Sequence, residues 1–165
     1  MFDLKPISRE AIPEALAKAE RYRLLNESWQ AESICLDVLH VEPGHQQALV
    51  LLLLSLTDQF GKGVSTARAR EVLHHLHSDY ERAYYGGIVH ERWAESLLRQ
   101  DAPGAGFTAY QSLREAMECY ERAEALRPAL NDDSILRWNT CARILMRNPE
   151  LRPRGEEKFE PALDD

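Results

Sequence analysis

The chain has 165 residues, 44% of them hydrophobic and 28% charged, and a formal net charge of −7. That length suits one domain or one short repeat array with its own core. The acidic balance argues against nucleic-acid binding, which needs clustered Lys and Arg. The most apolar run, Ala48 to Leu56, is too short for a bilayer that needs about 20 residues.

The opening Met1-Phe2-Asp3-Leu4-Lys5-Pro6 lacks the basic start and apolar stretch of a secretory signal. Between glycine and proline breakers the apolar residues recur at helical spacing, and no alternating β-branched pattern occurs, so the expected fold is all-α. Helix one runs from Ser8 or Ile12 to Leu25, with Ala15, Ala19 and Tyr22 on one face. Helix two runs from Ser28 to Val41 with Ala31, Cys35, Val38 and Leu39 inward, and Pro43-Gly44 stops it. Helix three spans His45 to Phe60, with Leu49, Leu52, Leu53 and Leu56 on one stripe and Val50 and Leu54 on another. After Gly61-Lys62-Gly63, helix four runs from Ser65 to His77.

Helix five starts at Ser78, an N-cap with Asp79 and Glu81 in the first turn, and reaches Gln100. Its inward face carries Ala83, Gly87, His90, Ala94 and Leu97. The mid-helix pair Gly86-Gly87 costs about 1 kcal/mol per glycine against alanine, so another helix is expected to cross closely there. Helix six runs from Phe107 to Leu126 with Ala109, Leu113, Ala116, Tyr120 and Ala123 on one face, and Pro128 ends it. Helix seven follows Ser134 to Met146, with Ile135, Trp138, Ala142 and Leu145 inward and Arg137, Asn139, Thr140 and Arg143 as polar surface. The helical domain is thus 1–148. Residues 149–165 carry six acidic and three basic side chains and read as an acidic, disordered tail. Within it, Phe159 to Asp165 resembles a short acidic linear motif that could dock on a partner or in the protein's own groove, while plain solvated disorder is the favoured reading.

Two segments share one pattern: Ala31-x3-Cys35-x2-Val38-x4-Pro43 and Ala116-x3-Tyr120-x2-Ala123-x4-Pro128. This resembles the second-helix signature of the tetratricopeptide repeat, a helix-turn-helix unit of about 34 residues. The alanine lets helices approach, the apolar residue four positions on fills a groove, and the proline turns the chain. Ala69-x3-Leu73-x2-Leu76 is a degenerate middle copy without the proline, and both intervals between copies exceed the family's repeat length. First-helix spacing recurs at Ala15, Leu49 and Ala83, with Gly87 on the family's glycine position. The resemblance implies a right-handed helix-pair solenoid of three pairs plus a closing helix.

The histidines, cysteines and carboxylates are the candidates for chemistry. His74 and His77 are three apart, and His90 or Asp79 would have to supply a third metal ligand. The other reading is a polar helix end. Cys35, Cys119 and Cys141 form no CxxC and read as buried reduced thiols, which suits the cytoplasm. Glu91 and Glu95 have acid–base spacing but read as solvated helix charges. Lys62, Arg68 and Arg70 make a small basic cluster with Glu71 beside it. No phosphate-loop, dinucleotide or nucleophile-elbow motif occurs, so no enzyme activity and no cofactor are expected.

The family resemblance implies a concave face lined by first helices. Carried over by position, it names Leu16, Glu20 and Arg23, then Gln47, Val50, Leu54 and Thr57, then Tyr84, Ile88 and Glu91. The alternative is that Val50, Leu54 and Ile88 are core. This set lacks the Lys/Arg residues of a carboxylate clamp. The expected function is a protein-interaction scaffold, monomeric or weakly dimeric, holding a peptide or partner helix through apolar anchors. Two alternatives stand beside it: a secretion-type chaperone of the same repeat family, and a helical protein binding a metal or small ligand through His74 and His77.

Overall fold

A computed structural model describes residues 1–151. A 3-10 turn, Arg9–Ala11, leads into α1 (Ile12–Leu24), α2 (Ser28–Val41), α3 (Gln46–Thr57), α4 (Thr66–Leu73), α5 (Asp79–Gln100), α6 (Ala105–Leu126) and α7 (Asp133–Arg147). The described residues are all-α, with one isolated bridge between Phe60 and Val64. No helix among them is long and apolar enough to cross a membrane.

Each helix packs on its neighbours in the chain, and α1 also reaches α3 as α3 reaches α5. Two cores result. One is built from α1 to α4, with Val89 of α5, around Ala19, Ala31, Cys35, Val38, Leu53 and Leu56. The other joins α5, α6 and α7 around Ile88, Ala94, Leu113, Ala116, Tyr120 and Cys141. Leu54 and Tyr85 touch both. The two patterned segments put their small and apolar positions fully inside: Ala31, Cys35 and Val38 on α2, Ala116, Tyr120 and Ala123 on α6. Pro43 and Pro128 each stand two residues past their helix, where a proline ring no longer meets a preceding turn.

The glycine pair of α5 divides. A Cβ on Gly87 would lie 2.7 Å from Cδ1 of Tyr120, whereas one on Gly86 would find its nearest atom, Cys119 Sγ, at 3.8 Å. Only Gly87 marks the close crossing, with α6.

Helix four is shorter than expected and stops at Leu73. The backbone then tightens through His74 N–H to Glu71 O, His75 N–H to Val72 O and Leu76 N–H to Leu73 O. Gln46 of α3 holds this turn from outside. Its Nε2 donates to His75 O at 3.2 Å and its Oε1 accepts from His77 N–H at 2.9 Å. Leu76 is buried from this turn rather than from a helix face. At the other end of the fold, the packed chain continues past 148 to Leu151, which is buried and faces Gly106 at the start of α6. The rest of the expected tail, with the Phe159–Asp165 motif, lies outside the described residues.

Candidate functional site

An open cleft of ≈ 590 Å³ is lined from α1, α3 and α5. Arg23 and Leu24 come from the end of α1, Thr57 and Asp58 from the end of α3, and Arg92 and Arg99 from α5. Asn26, Ser28 and Lys62 complete it.

Local structure explains each placement. Asp58 follows the last turn of α3 and is gripped from two sides: Arg23 Nε lies 2.7 Å from Oδ2, and Ser28 Oγ donates to the same oxygen at 3.2 Å. This ion pair, a hydrogen bond from Arg23 Nη2 to Asp58 Oδ1 at 3.4 Å and the Ser28 hydrogen bond tie the end of α1 and the start of α2 to the end of α3. Lys62 is carried by the loop Gly61-Lys62-Gly63, in which both glycines are left-handed, at φ 84° and 92°. Gly61 also packs against α5, since a Cβ there would stand 2.8 Å from Gln100 Nε2. The loop therefore folds over the last turn of α5 and sets Lys62 near the end of that helix. Arg92 and Arg99 are seven residues apart, about two helical turns, and so share a face. Glu95 lies between them: its Oε2 is 3.4 Å from Arg92 Nη1 and 3.9 Å from Arg99 Nη1. Four cations thus meet two carboxylates, and among the described residues the buried Nε atoms of Arg23 and Arg92 both lack a hydrogen-bond partner.

The positions expected to line a groove separate into three groups. Arg23 and Thr57 do reach the cleft. Glu20 and Gln47 are exposed, while Val50, Leu54 and Tyr84 are half-buried on the two cores. Leu16, Ile88 and Glu91 are interior, at 2%, 1% and 0% exposure. Their correction has one cause: α1 and α5 bury a wider arc than a one-sided helix, because each packs against more than one neighbour. Lys62, Arg92 and Arg99, none of them among the expected positions, join Arg23 at the cleft. Arg92 could have been found from spacing, because Tyr84, Ile88 and Arg92 follow one another at four-residue steps. Lys62 and Asp58 had no such signal.

Glu91 is the centre of a buried polar network instead of a solvated charge. Tyr120 Oη donates to its Oε2 at 2.5 Å and Arg137 Nη1 to its Oε1 at 3.1 Å. Arg137, expected on the polar face of α7, is therefore turned inward, where it also meets Tyr84. Tyr84 stacks on Tyr80 with ring centroids 5.8 Å apart, and Tyr80 Oη accepts from Asn131 Nδ2 at 3.1 Å. This network joins α5, α6 and α7.

The histidines do not assemble a metal set. His74, His75 and His77 are exposed on the turn after α4. Asp79 pairs with Arg82, and His90 Nδ1 stands 3.0 Å from Glu115 Oε2. Among the described residues no group of three or more His, Cys, Asp or Glu side chains is placed to hold a metal ion. The basic cluster also disperses. Arg68 Nη2 donates to the buried Glu32 at 2.5 Å, and Gln59 Nε2 donates to the same carboxylate at 2.7 Å.

Cys35, Cys119 and Cys141 are free and buried. Burial, then the nearby Glu32, pushes the Cys35 thiol from 9.0 up to about 12. Burial, then Glu91, does the same for Cys141. Burial raises Tyr85 from 10.0 to about 12 and raises Tyr120 further, with Glu91 adding to it. Each group keeps its proton in the folded chain where the unfolded chain would release it. Stability is then full below pH 9 and falls as pH rises from 9 toward 12. Thermal unfolding at pH 8, 9.5 and 10.5 is expected to show a progressive fall in Tm. A constant Tm across that range would contradict the burial of these thiols and phenols.

No family model, no curated protein and no solved structure matches the chain. The cleft's own chemistry carries the functional argument. It offers guanidinium and ammonium donors and a carboxylate, Asp58, already engaged by Arg23 and by the Ser28 hydroxyl.

Proposed function

We propose that the chain is a non-enzymatic protein-interaction module with the helix-pair arrangement of the tetratricopeptide repeat. It holds a segment of a partner protein on the face formed by α1, α3 and α5. The observation that carries this reading is the cleft: three alternate helices direct side chains into one open volume, of a size that takes several side chains. The two patterned second helices, with their alanines buried at helix contacts, support the repeat arrangement. The buried free thiols support a reducing compartment, and the cytoplasm is the location we assign. The working state is a monomer or weak homodimer that needs no cofactor.

The test uses the full chain as bait beside its Arg92→Gln/Arg99→Gln variant, with Arg114→Gln/Arg143→Gln as a control on exposed positions of α6 and α7. A partner recovered by the unaltered chain and the control should fall at least about fivefold with the cleft variant, as expected when desolvated charge contacts are truncated. Equal recovery by all three folded proteins would reject the cleft as the binding face.

A further inference from the structure

We infer that a separate apolar groove, between α2, α3 and α4, takes the N-terminal arm of a second copy of this chain, so that two copies exchange arms. The groove encloses ≈ 390 Å³, within the size range of clefts that hold apolar groups. Leu39 of α2, Leu49, Leu52 and Leu56 of α3 and Val72 of α4 line it. It shares no lining residue with the cleft between α1, α3 and α5, so the two surfaces act independently.

The arm is Met1 to Pro6, all of it exposed. Phe2 is 98% exposed and Leu4 89%. Side chains two positions apart stand on one face of an extended segment, and Lys5, which precedes Pro6, favours extended backbone. The arm thus carries an apolar edge that the single chain leaves uncovered. Its charges complement the groove: Asp3 answers Arg68, and Lys5 answers Glu71. The root of the arm sets where it acts. Ile7 packs on the first core, and Arg9 Nη1 donates to Glu42 Oε1 at 3.3 Å. Glu42 directly precedes Pro43, which lines the groove. Arm root and groove mouth therefore lie side by side, and the five residues from Ile7 back to Phe2 span about 17 Å when extended. An arm that crosses to a second copy's groove leaves its own groove beside its root, open to the arm that comes back. One two-fold axis then closes both contacts at once.

Sedimentation equilibrium of the full chain from about 1 to 500 μM tests the exchange. The mass is expected to rise from one chain toward two. Phe2→Asp/Leu4→Asp, at positions exposed in the single chain, should weaken the dimer at least about tenfold through loss of both apolar anchors. Leu39→Glu, on the groove wall, should weaken it as much. Glu71→Lys, at an exposed position, gives the same direction should Leu39→Glu unfold. The double variant Leu4→Cys/Leu39→Cys then locates the arm. The chain's own thiols are buried, so brief oxidation with copper–phenanthroline is expected to join the introduced pair between chains as a covalent dimer. A disulfide closed within one chain would overturn the exchange and give the groove to the chain's own arm. A single-chain mass at every concentration would also overturn it, as would equal dimerisation by Phe2→Asp/Leu4→Asp.

Discussion

Arg137→Ala is expected to destabilise the folded chain by about 3 kcal/mol, because it leaves the Glu91 carboxylate inside without its cation. Glu91 is 0% exposed, and its two oxygens are shared between Tyr120 and Arg137. Breaking a buried pair from one side typically costs about 3–5 kcal/mol. The lower end applies here because the Arg137 side chain is 32% exposed, so water can enter behind it. Tyr120→Phe removes only the second donor and should cost about 1–3 kcal/mol. Replacing both charged partners, as Glu91→Leu/Arg137→Leu, removes the stranded charge and should cost less than Arg137→Ala alone. Urea midpoints at constant m-value provide the comparison. A loss below about 1 kcal/mol for Arg137→Ala would show that Glu91 is hydrated and that α7 is not held through it.

Gly87→Ala is the second expected large loss, about 1–3 kcal/mol of net destabilisation. Alanine should favour a helix interior by about 1 kcal/mol, so the sign depends on space alone. The added methyl would meet the Tyr120 ring, with Cδ1 at 2.7 Å and Cζ at 2.8 Å. That ring cannot swing away, because it is fully buried and its hydroxyl is bonded to Glu91. Gly86→Ala is the internal control. Its Cβ would have ordinary neighbours at 3.8 and 3.9 Å, so it should leave stability unchanged or raise it by up to about 1 kcal/mol. Thermal melts of the two variants measure the contrast, and a stabilised Gly87→Ala would refute a fixed α5–α6 crossing. Because Tyr120 serves both the crossing and the Glu91 network, Gly87→Ala and Arg137→Ala should not add independently.

Much of the helical layout could be read before any tertiary structure. Helix two is expected over Ser28 to Val41 and observed there, since Ala31, Cys35 and Val38 repeat at helical spacing and Pro43-Gly44 stops them. Helix four shows the limit. Its pattern runs on to Leu76, yet the helix ends at Leu73 because Gln46, 27 positions before Leu73, takes the backbone groups of the turn beyond it. A window along the chain contains no trace of that bond. The candidate site was less legible. Arg23 and Thr57 were expected on it, whereas Lys62, Arg92 and Arg99 arrive from a loop and from a helix face rotated by one residue from Glu91.

That one-residue rotation marks the division. Glu91 and Arg92 differ by about 100° around α5, and nothing in their local sequence states which of the two turns inward. Periodicity and breakers act over a few residues, so the sequence by itself determined an all-α chain, the order of its helices and the small residues at their contacts. A helix buried on several sides has no single polar face to read. Only the packing of α5 against α3, α4 and α6 could decide that Glu91 is sealed inside while Arg92 opens on the cleft. Electrostatic grouping follows distance in space, and residues 23, 62, 92 and 99 come together only once the helices have been stacked.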